Sequence, residues 1–240
     1  MIERFEAIAS SDGPVPTFVA HPERGGPFPV VLFLMDAAGM REEIRDMARR
    51  LATSGYYVLA PNIYHRQGVG DIADGWTYDE ISARLQATSM DMVMRDCDAL
   101  LAYAAQDSAA GKGKVGAVGY CFTGQHAVNA AARHQDKIAA AASFHGVSLV
   151  TENVDSPHLM MQKAPQAEFY FAGAELDQYG TVSMMRELEK TAKEKGVNAE
   201  IEIFLGADHG YVFPSRAVYH KHAAETHWER LLALFARRLR

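Results

Sequence analysis

The stretch Lys114-Val115-Gly116-Ala117-Val118-Gly119-Tyr120-Cys121-Phe122-Thr123-Gly124 constrains this chain most. A run of small and β-branched residues leads to a cysteine bracketed by glycines, and an alanine-rich helical stretch follows. That layout predicts a strand turning sharply into a helix, with one reactive side chain at the bend. Gly119 lets the chain turn without a Cβ clash, and the small Thr123 and Gly124 let helix and strand approach closely. Phe122 offers a backbone N–H near the helix start, where the positive end of the helix favours a thiolate and a developing oxyanion.

On either side of this bend, apolar runs alternate with helical patterns. Residues 2–9 and 15–20 read as short strands separated by Ser11-Asp12-Gly13-Pro14. Pro29–Met35 is a continuous apolar run too short for a helix, as expected of a strand buried on both faces. Ile44, Met47, Ala48 and Leu51 fall at helical spacing before Gly55, and Tyr56–Ala60 is a further buried strand that Pro61 ends. Residues 62–79 have no period and read as a site-lining loop carrying Tyr64, His65, Arg66 and Trp76. Met90, Val93, Met94, Cys97, Leu100, Leu101 and Ala104 share one helical face.

Beyond the bend, strands are expected at 138–144, 168–172 and 199–205, with helices at 181–195 and 217–239. The alanines of the 138–144 run fit either state, and 145–167 reads as a loop with room for a short helix. The last helix is expected to bury Trp228, Leu231, Leu232 and Phe235. Alternation of this kind implies an α/β fold with a mainly parallel central sheet and helices on both faces. No repeat, low-complexity tract or linker divides residues 1–240, so one domain is expected.

In such sheets ligands bind beyond the carboxyl ends of the strands. Cys121, Asp177 and His209 each follow a strand end, in the order nucleophile, acid, histidine. In that division of labour His209 takes or holds the thiol proton, Asp177 orients the imidazole, and Cys121 attacks an acyl carbon. Backbone N–H groups of Phe122 and Ala37 could cradle the oxyanion, each such donor being worth about 2.7–4 kcal/mol in a transition state. Bland readings stand beside each of these. A lone cysteine is most often a small buried hydrophobe, which is the expectation for Cys97. Glu175 competes with Asp177, and His209 is one of ten histidines. His65, His145 and His158 read as loop or site-lining residues. No HExxH or paired CxxC pattern supports a metal site.

A net charge of −6 disfavours general nucleic-acid binding, and no apolar run approaches the roughly 20 residues that span a membrane. The first six residues lack the basic start and apolar core of a secretory signal, and two cysteines suggest no disulfide framework. The expectation is a cytoplasmic protein, a monomer or small homo-oligomer, with reduced thiols.

With the Gly119-Tyr120-Cys121 elbow, Asp177 and His209-Gly210-Tyr211 in place, the sequence resembles the dienelactone hydrolase family over nearly its full length. The resemblance implies an α/β-hydrolase fold, a Cys121-Asp177-His209 triad and cofactor-free hydrolysis of a lactone or ester. Several positions depart from the family pattern. Thr123 stands where the family has glycine. Asp36 replaces a glutamate that pairs with the resting cysteine in the reference enzymes. Phe213 occupies the place of an arginine that binds substrate carboxylate, and the nearest arginine is Arg216. Arg84 is a stand-in for a second arginine, and Tyr64 and Tyr211 are candidate pocket residues.

The leading expectation is therefore a cysteine-dependent hydrolase of small esters or lactones, working through an acyl-enzyme. Thioesters are also compatible with that chemistry. A non-catalytic small-molecule-binding member of the fold is the alternative, because a fold does not dictate function. A redox-responsive pair of Cys121 and Cys97 is a third reading, weakened by the helical burial expected of Cys97.

Overall fold

Alternation and short apolar runs become strands where expected. Strands β1 (Ile2–Ile8) and β2 (Val15–His21) pair antiparallel, Ile2 opposite His21 and Ile8 opposite Val15. The computed structural model describes residues 1–71 and 77–240, and these fall into two units, Met1–Gly113 and Lys114–Arg240. Trp76, placed by the sequence in a site-lining loop, lies outside the described residues.

In the first unit, β3 (Val30–Leu34) is buried at every residue, as a strand covered on both faces should be. Helix α1 (Glu42–Thr53) buries Ile44, Met47, Ala48 and Leu51 and ends before Gly55 in the left-handed region. Strand β4 (Tyr57–Pro61) lies parallel to β3 and antiparallel to β2, giving the order β1-β2-β4-β3. Pro61 belongs to β4 instead of ending it, because it sits at the strand terminus opposite Thr17. Helix α2 (Tyr78–Gln86) is absent from the sequence reading. None of its residues is buried, so it has no apolar stripe, and Thr77 and Glu80 hold it through a reciprocal capping box. Helix α3 (Met90–Ala104) buries Val93, Met94, Cys97, Leu100, Leu101 and Ala104, as expected of that face.

The second unit is a run of four parallel strands in chain order. They are β5 (Val115–Tyr120), β6 (Ile138–Phe144), β7 (Glu168–Ala174) and β8 (Ala199–Phe204). Helices α4 (Gly124–Arg133), α5 (Pro157–Met160) and α6 (Val182–Lys195) make the crossovers, and α7 (Lys221–Leu239) ends the chain. Strand β6 resolves the ambiguous alanine run. Flanked by β5 and β7 and packed by α4 and α7, it is buried throughout, and its small side chains let both helices approach. On α7, Trp228, Leu231, Leu234 and Phe235 are buried, while Leu232 is only half-buried and Leu234 takes its expected place.

Because the four strands are parallel, their carboxyl ends share one edge, and the turn after β5 is built there. Cys121 has φ +55, the left-handed region that costs a non-glycine residue about 1–2 kcal/mol. Thr123 supports the turn reciprocally. Its Oγ accepts from the Tyr120 N–H at 2.9 Å and donates to the Tyr120 carbonyl at 3.1 Å. A Cβ on Gly119 would lie 2.2 Å from the Thr123 carbonyl oxygen, and one on Gly124 would lie 2.1 Å from Ser143 Oγ. The elbow therefore closes only over glycine at both positions. Overpacking against backbone of this kind costs about 1–3 kcal/mol, so Gly119→Ala should lower the melting temperature by about 2–12 °C for a chain of this size. Thermal unfolding followed by circular dichroism checks this; an unchanged midpoint would contradict it.

Candidate active site

Three loops at the carboxyl edge of the second unit bring Cys121, Asp177 and His209 together. Asp177 follows β7 and is 5% exposed. Its Oδ1 accepts the N–H groups of Tyr179 at 2.7 Å and Gly180 at 2.8 Å, which leaves Oδ2 to face His209 Nδ1 at 2.7 Å. Gly180 has no Cβ because one would lie 2.6 Å from the Gly146 carbonyl oxygen; the acid loop is pressed against the turn after β6. With Nδ1 committed to Asp177, the other ring nitrogen of His209 is left for its hydrogen bond with Cys121. Cys121 is half-buried, unlike Cys97, which has no exposure. Glu175, the competing carboxylate, is exposed and accepts the Gly206 N–H at 2.8 Å instead.

The electrostatics follow from this geometry. Burial lowers the pKa of the His209 ring, but its hydrogen bonds to Asp177 and Cys121 and the negative charges there outweigh burial and raise it to about 10. For Asp177, burial raises the pKa. The hydrogen bond and charge of His209, with the Gly180 and Tyr179 N–H groups, more than offset this and hold it below the ordinary value of 3.8. The imidazole is sandwiched edge-on by Tyr179 at 5.1 Å and His145 at 5.0 Å between ring centroids.

A pocket of about 400 Å³ opens beside His209, lined by Gln178, Tyr179, Asp208, Arg216 and Val218. The Arg216 guanidinium lies over the Phe213 ring at 4.5 Å. It reaches this place because residue 210 is glycine: a Cβ there would lie 2.7 Å from Arg216 Nη1.

The chain-wide comparisons agree with this architecture. The pattern of the dienelactone hydrolase family matches residues 15–239. A Synechocystis sp. protein named "Putative carboxymethylenebutenolidase" is 30% identical over 229 residues, covering 93% of this chain and 92% of the relative. The chain belongs to the dienelactone hydrolase family. A crystal structure named "Putative Dienelactone Hydrolase" from Klebsiella pneumoniae superposes with a TM-score of 0.89 at 26% identity, over 98% of both chains. A dienelactone hydrolase-like phosphotriesterase, P91, from metagenomic libraries shares the fold with a TM-score of 0.83 at 19% identity, covering 100% of this chain and 99% of that one. The protein is thus an α/β-hydrolase-fold enzyme that hydrolyses a lactone or carboxylic ester. No described helix is long and apolar enough to cross a membrane.

The other family positions named from the sequence divide between the two units. Phe122 follows Cys121 at the turn into α4. Asp36, Ala37, Tyr64 and Arg84 belong to the first unit. Asp36 is 1% exposed and accepts a hydrogen bond from Arg41 Nη1 at 2.5 Å. Tyr64 is fully buried and donates to the Ala37 carbonyl at 2.9 Å, a structural position and not a pocket-lining one. Tyr211 corrects the same way: it has no exposure and packs on His145 and Phe204, so it backs the site from the interior. Arg84 lies on α2, where its carbonyl accepts hydrogen bonds from Gln67 Nε2 and Thr88 Oγ1. Of the loop residues, His65 and Arg66 point to Asp96 on α3, and His158 bonds Ser156.

His145, read from the sequence as a loop or site-lining residue, packs against His209. Arg41 has only a weak signal in the sequence, a basic residue five positions after a strand-end aspartate. The Asp177–His209 pair also sets a pH dependence. A folded pKa near 10 against an ordinary 6.5 means that His209 contributes stability fully below pH 6.5, and that this is lost as pH rises through about 10. The depressed Asp177 contributes above its ordinary 3.8 and loses that as pH falls through its lower folded value. Urea unfolding at pH 7, 8.5 and 10 should show stability declining in the native enzyme. It should decline much less in Asp177→Asn, where the chief support of the raised imidazole pKa is gone; parallel slopes would contradict the assignment.

Proposed function

We propose that this enzyme cleaves its lactone or ester through a Cys121-Asp177-His209 triad and a thioester acyl-enzyme. The observation that carries the reading is the His209 ring, bonded on one side to the buried Asp177 and on the other to a cysteine held at a left-handed elbow. In the first step the Cys121 sulfur, paired with the His209 imidazolium, attacks the acyl carbon. A C–S bond forms and the carbonyl π electrons move to oxygen, where the Phe122 N–H at the helix start stabilises the oxyanion. Collapse of this intermediate breaks the C–O bond, and the leaving oxygen takes the proton of His209. For a lactone, that oxygen stays tethered within the acyl group.

In the second step the neutral imidazole accepts a proton from water as its oxygen attacks the thioester. The C–S bond breaks, the acid departs, and the thiolate–imidazolium pair returns. Asp177 fixes the ring tautomer and balances its charge in both halves. The substrate preference follows from Arg216. The relatives are named for a lactone bearing a carboxylate, and in this chain the guanidinium beside His209 is the cation suited to that group. Its planar fork, stacked over Phe213, is preorganised for a carboxylate.

Two measurements test this. Cys121→Ala should lower hydrolysis of p-nitrophenyl acetate by about 10³-fold or more, with the circular dichroism spectrum unchanged; retained turnover would rule out the thiol as nucleophile. Arg216→Ala should raise KM for a carboxylated dienelactone about 10- to 100-fold, the worth of a charge-assisted hydrogen bond, and leave neutral p-nitrophenyl acetate nearly unaffected. An equal loss on both substrates would assign Arg216 to the fold instead.

A further inference from the structure

His145 is the residue that the proposed reaction leaves unused and that touches its centre. It follows the carboxyl end of β6 with φ +39, a left-handed conformation for a residue with a Cβ, while glycine stands one position later. Its N–H donates to the Ala172 carbonyl at 2.7 Å, which fixes the backbone to β7. The side chain has no exposure, and neither ring nitrogen has a hydrogen-bond partner in another described residue. What holds this ring, and what it holds, is therefore packing.

The packing is specific. The ring stands edge-on to His209 at 5.0 Å and 77°, to Tyr211 at 5.4 Å and 77°, and to Phe213 at 5.6 Å and 71°, with Tyr120 tilted at 6.1 Å. His209 needs such a wall. It sits in a loop between Gly206 and Gly210, both in the left-handed region, so no regular element fixes its side chain. Its hydrogen bonds to Asp177 and Cys121 fix where the two ring nitrogens lie but leave the ring free to tilt about the line that joins them. Tyr179, on another side, is 62% exposed and gives a soft support.

We propose that His145 is a positioning residue whose buried ring fixes the plane of His209, and so keeps that imidazole aligned between Asp177 and Cys121. This rests on the triad reading above. The wall must also carry no charge beside an imidazolium. Burial first, then the charges of His209, Arg216 and His227, hold the His145 pKa well below 6.5, and the remaining titratable neighbours facing it are the tyrosines Tyr120 and Tyr211. Backing of this kind acts on turnover, because a misaligned catalytic group slows the chemical step more than it weakens binding.

The test uses two variants of the full chain, assayed with p-nitrophenyl acetate and by alkylation of Cys121 with iodoacetamide. Asparagine tolerates the left-handed backbone but removes the ring, so His145→Asn should fold, lose about 10- to 100-fold in kcat, keep KM within about twofold and slow alkylation. His145→Phe restores a flat edge and should recover kcat to within about threefold of the native enzyme. Native kcat in His145→Asn overturns the proposal, and so does a His145→Phe variant as slow as His145→Asn. Should either fail to fold, NMR of the native protein decides. His145 should stay neutral from pH 5 to 9 with ring-to-ring Overhauser contacts to His209, and a titrating His145 or missing contacts overturns it. Cys121→Ala run alongside separates the two readings. If it retains activity, the triad and this proposal fall together; if it is inactive while His145→Asn matches the native enzyme, only the role of His145 falls.

Discussion

The hydrogen bond from His209 Nδ1 to Asp177 Oδ2 joins the loops that follow the paired strands β7 and β8, and the rest of the site is arranged around keeping it. A carboxylate at 5% exposure is costly unless its lone pairs are filled. Two backbone N–H groups fill one oxygen, and the imidazole fills the other. That demand explains Gly180, which lets the acid loop press against Gly146, and it explains why Glu175, exposed and bonded to Gly206, does not compete. The same bond raises the imidazole pKa, so that the ring stands as a proton donor beside Cys121. Fold and electrostatics meet in a single contact.

A second constraint works against stability. Cys121 is held in a left-handed turn, and this strain is offset by what surrounds it: the Thr123–Tyr120 hydrogen bonds, and a helix brought close because Gly119 and Gly124 have no side chain. Substituting Thr123 for the family's glycine is compatible with this, since the hydroxyl, turned back onto Tyr120, supplies hydrogen bonds that glycine lacks. Below the elbow, Tyr120 is tied by its hydroxyl to buried His227 at 2.9 Å, which anchors the last strand residue to α7. The strained turn thus stands on a rigid base.

How much of this was legible follows from which signals are local. Buried strands announce themselves as apolar runs, so β3, β4 and β7 and the apolar faces of α1 and α3 could be read directly, as could the order of Cys121, Asp177 and His209 after strand ends. Helix α2 could not, because it buries nothing, and its one local signal, Thr77-x-x-Glu80, lay next to a segment read as loop. Tyr64 and Tyr211 read as pocket residues because aromatic side chains in irregular segments usually are. Only the three-dimensional packing turns both inward. Asp36 was recognisable by position, but its partner Arg41 was not, since nothing in the spacing says that the chain after β3 folds the guanidinium back onto the carboxylate. A buried pair of this sort adds little net stability. Removing one member would be costly, because it leaves the other charge uncompensated.

The loop after His209 is where sequence position says least about the placing of a charge. The family places its carboxylate-binding arginine four residues after the histidine, and here that position is Phe213. Read along the sequence, the cation is lost. In space the turn through Pro214 and Ser215 brings Arg216 over the Phe213 ring, and Gly210 leaves room for it beside His209. A guanidinium stacked on an aromatic face keeps its edge free of that ring, with its hydrogen-bonding fork presented sideways. The aromatic side chain at the family's arginine position thus becomes the platform for the arginine that follows. A loop constrains only the end point of such a side chain, whereas the elbow constrains its own backbone, as the left-handed Cys121 and the glycines Gly119 and Gly124 show.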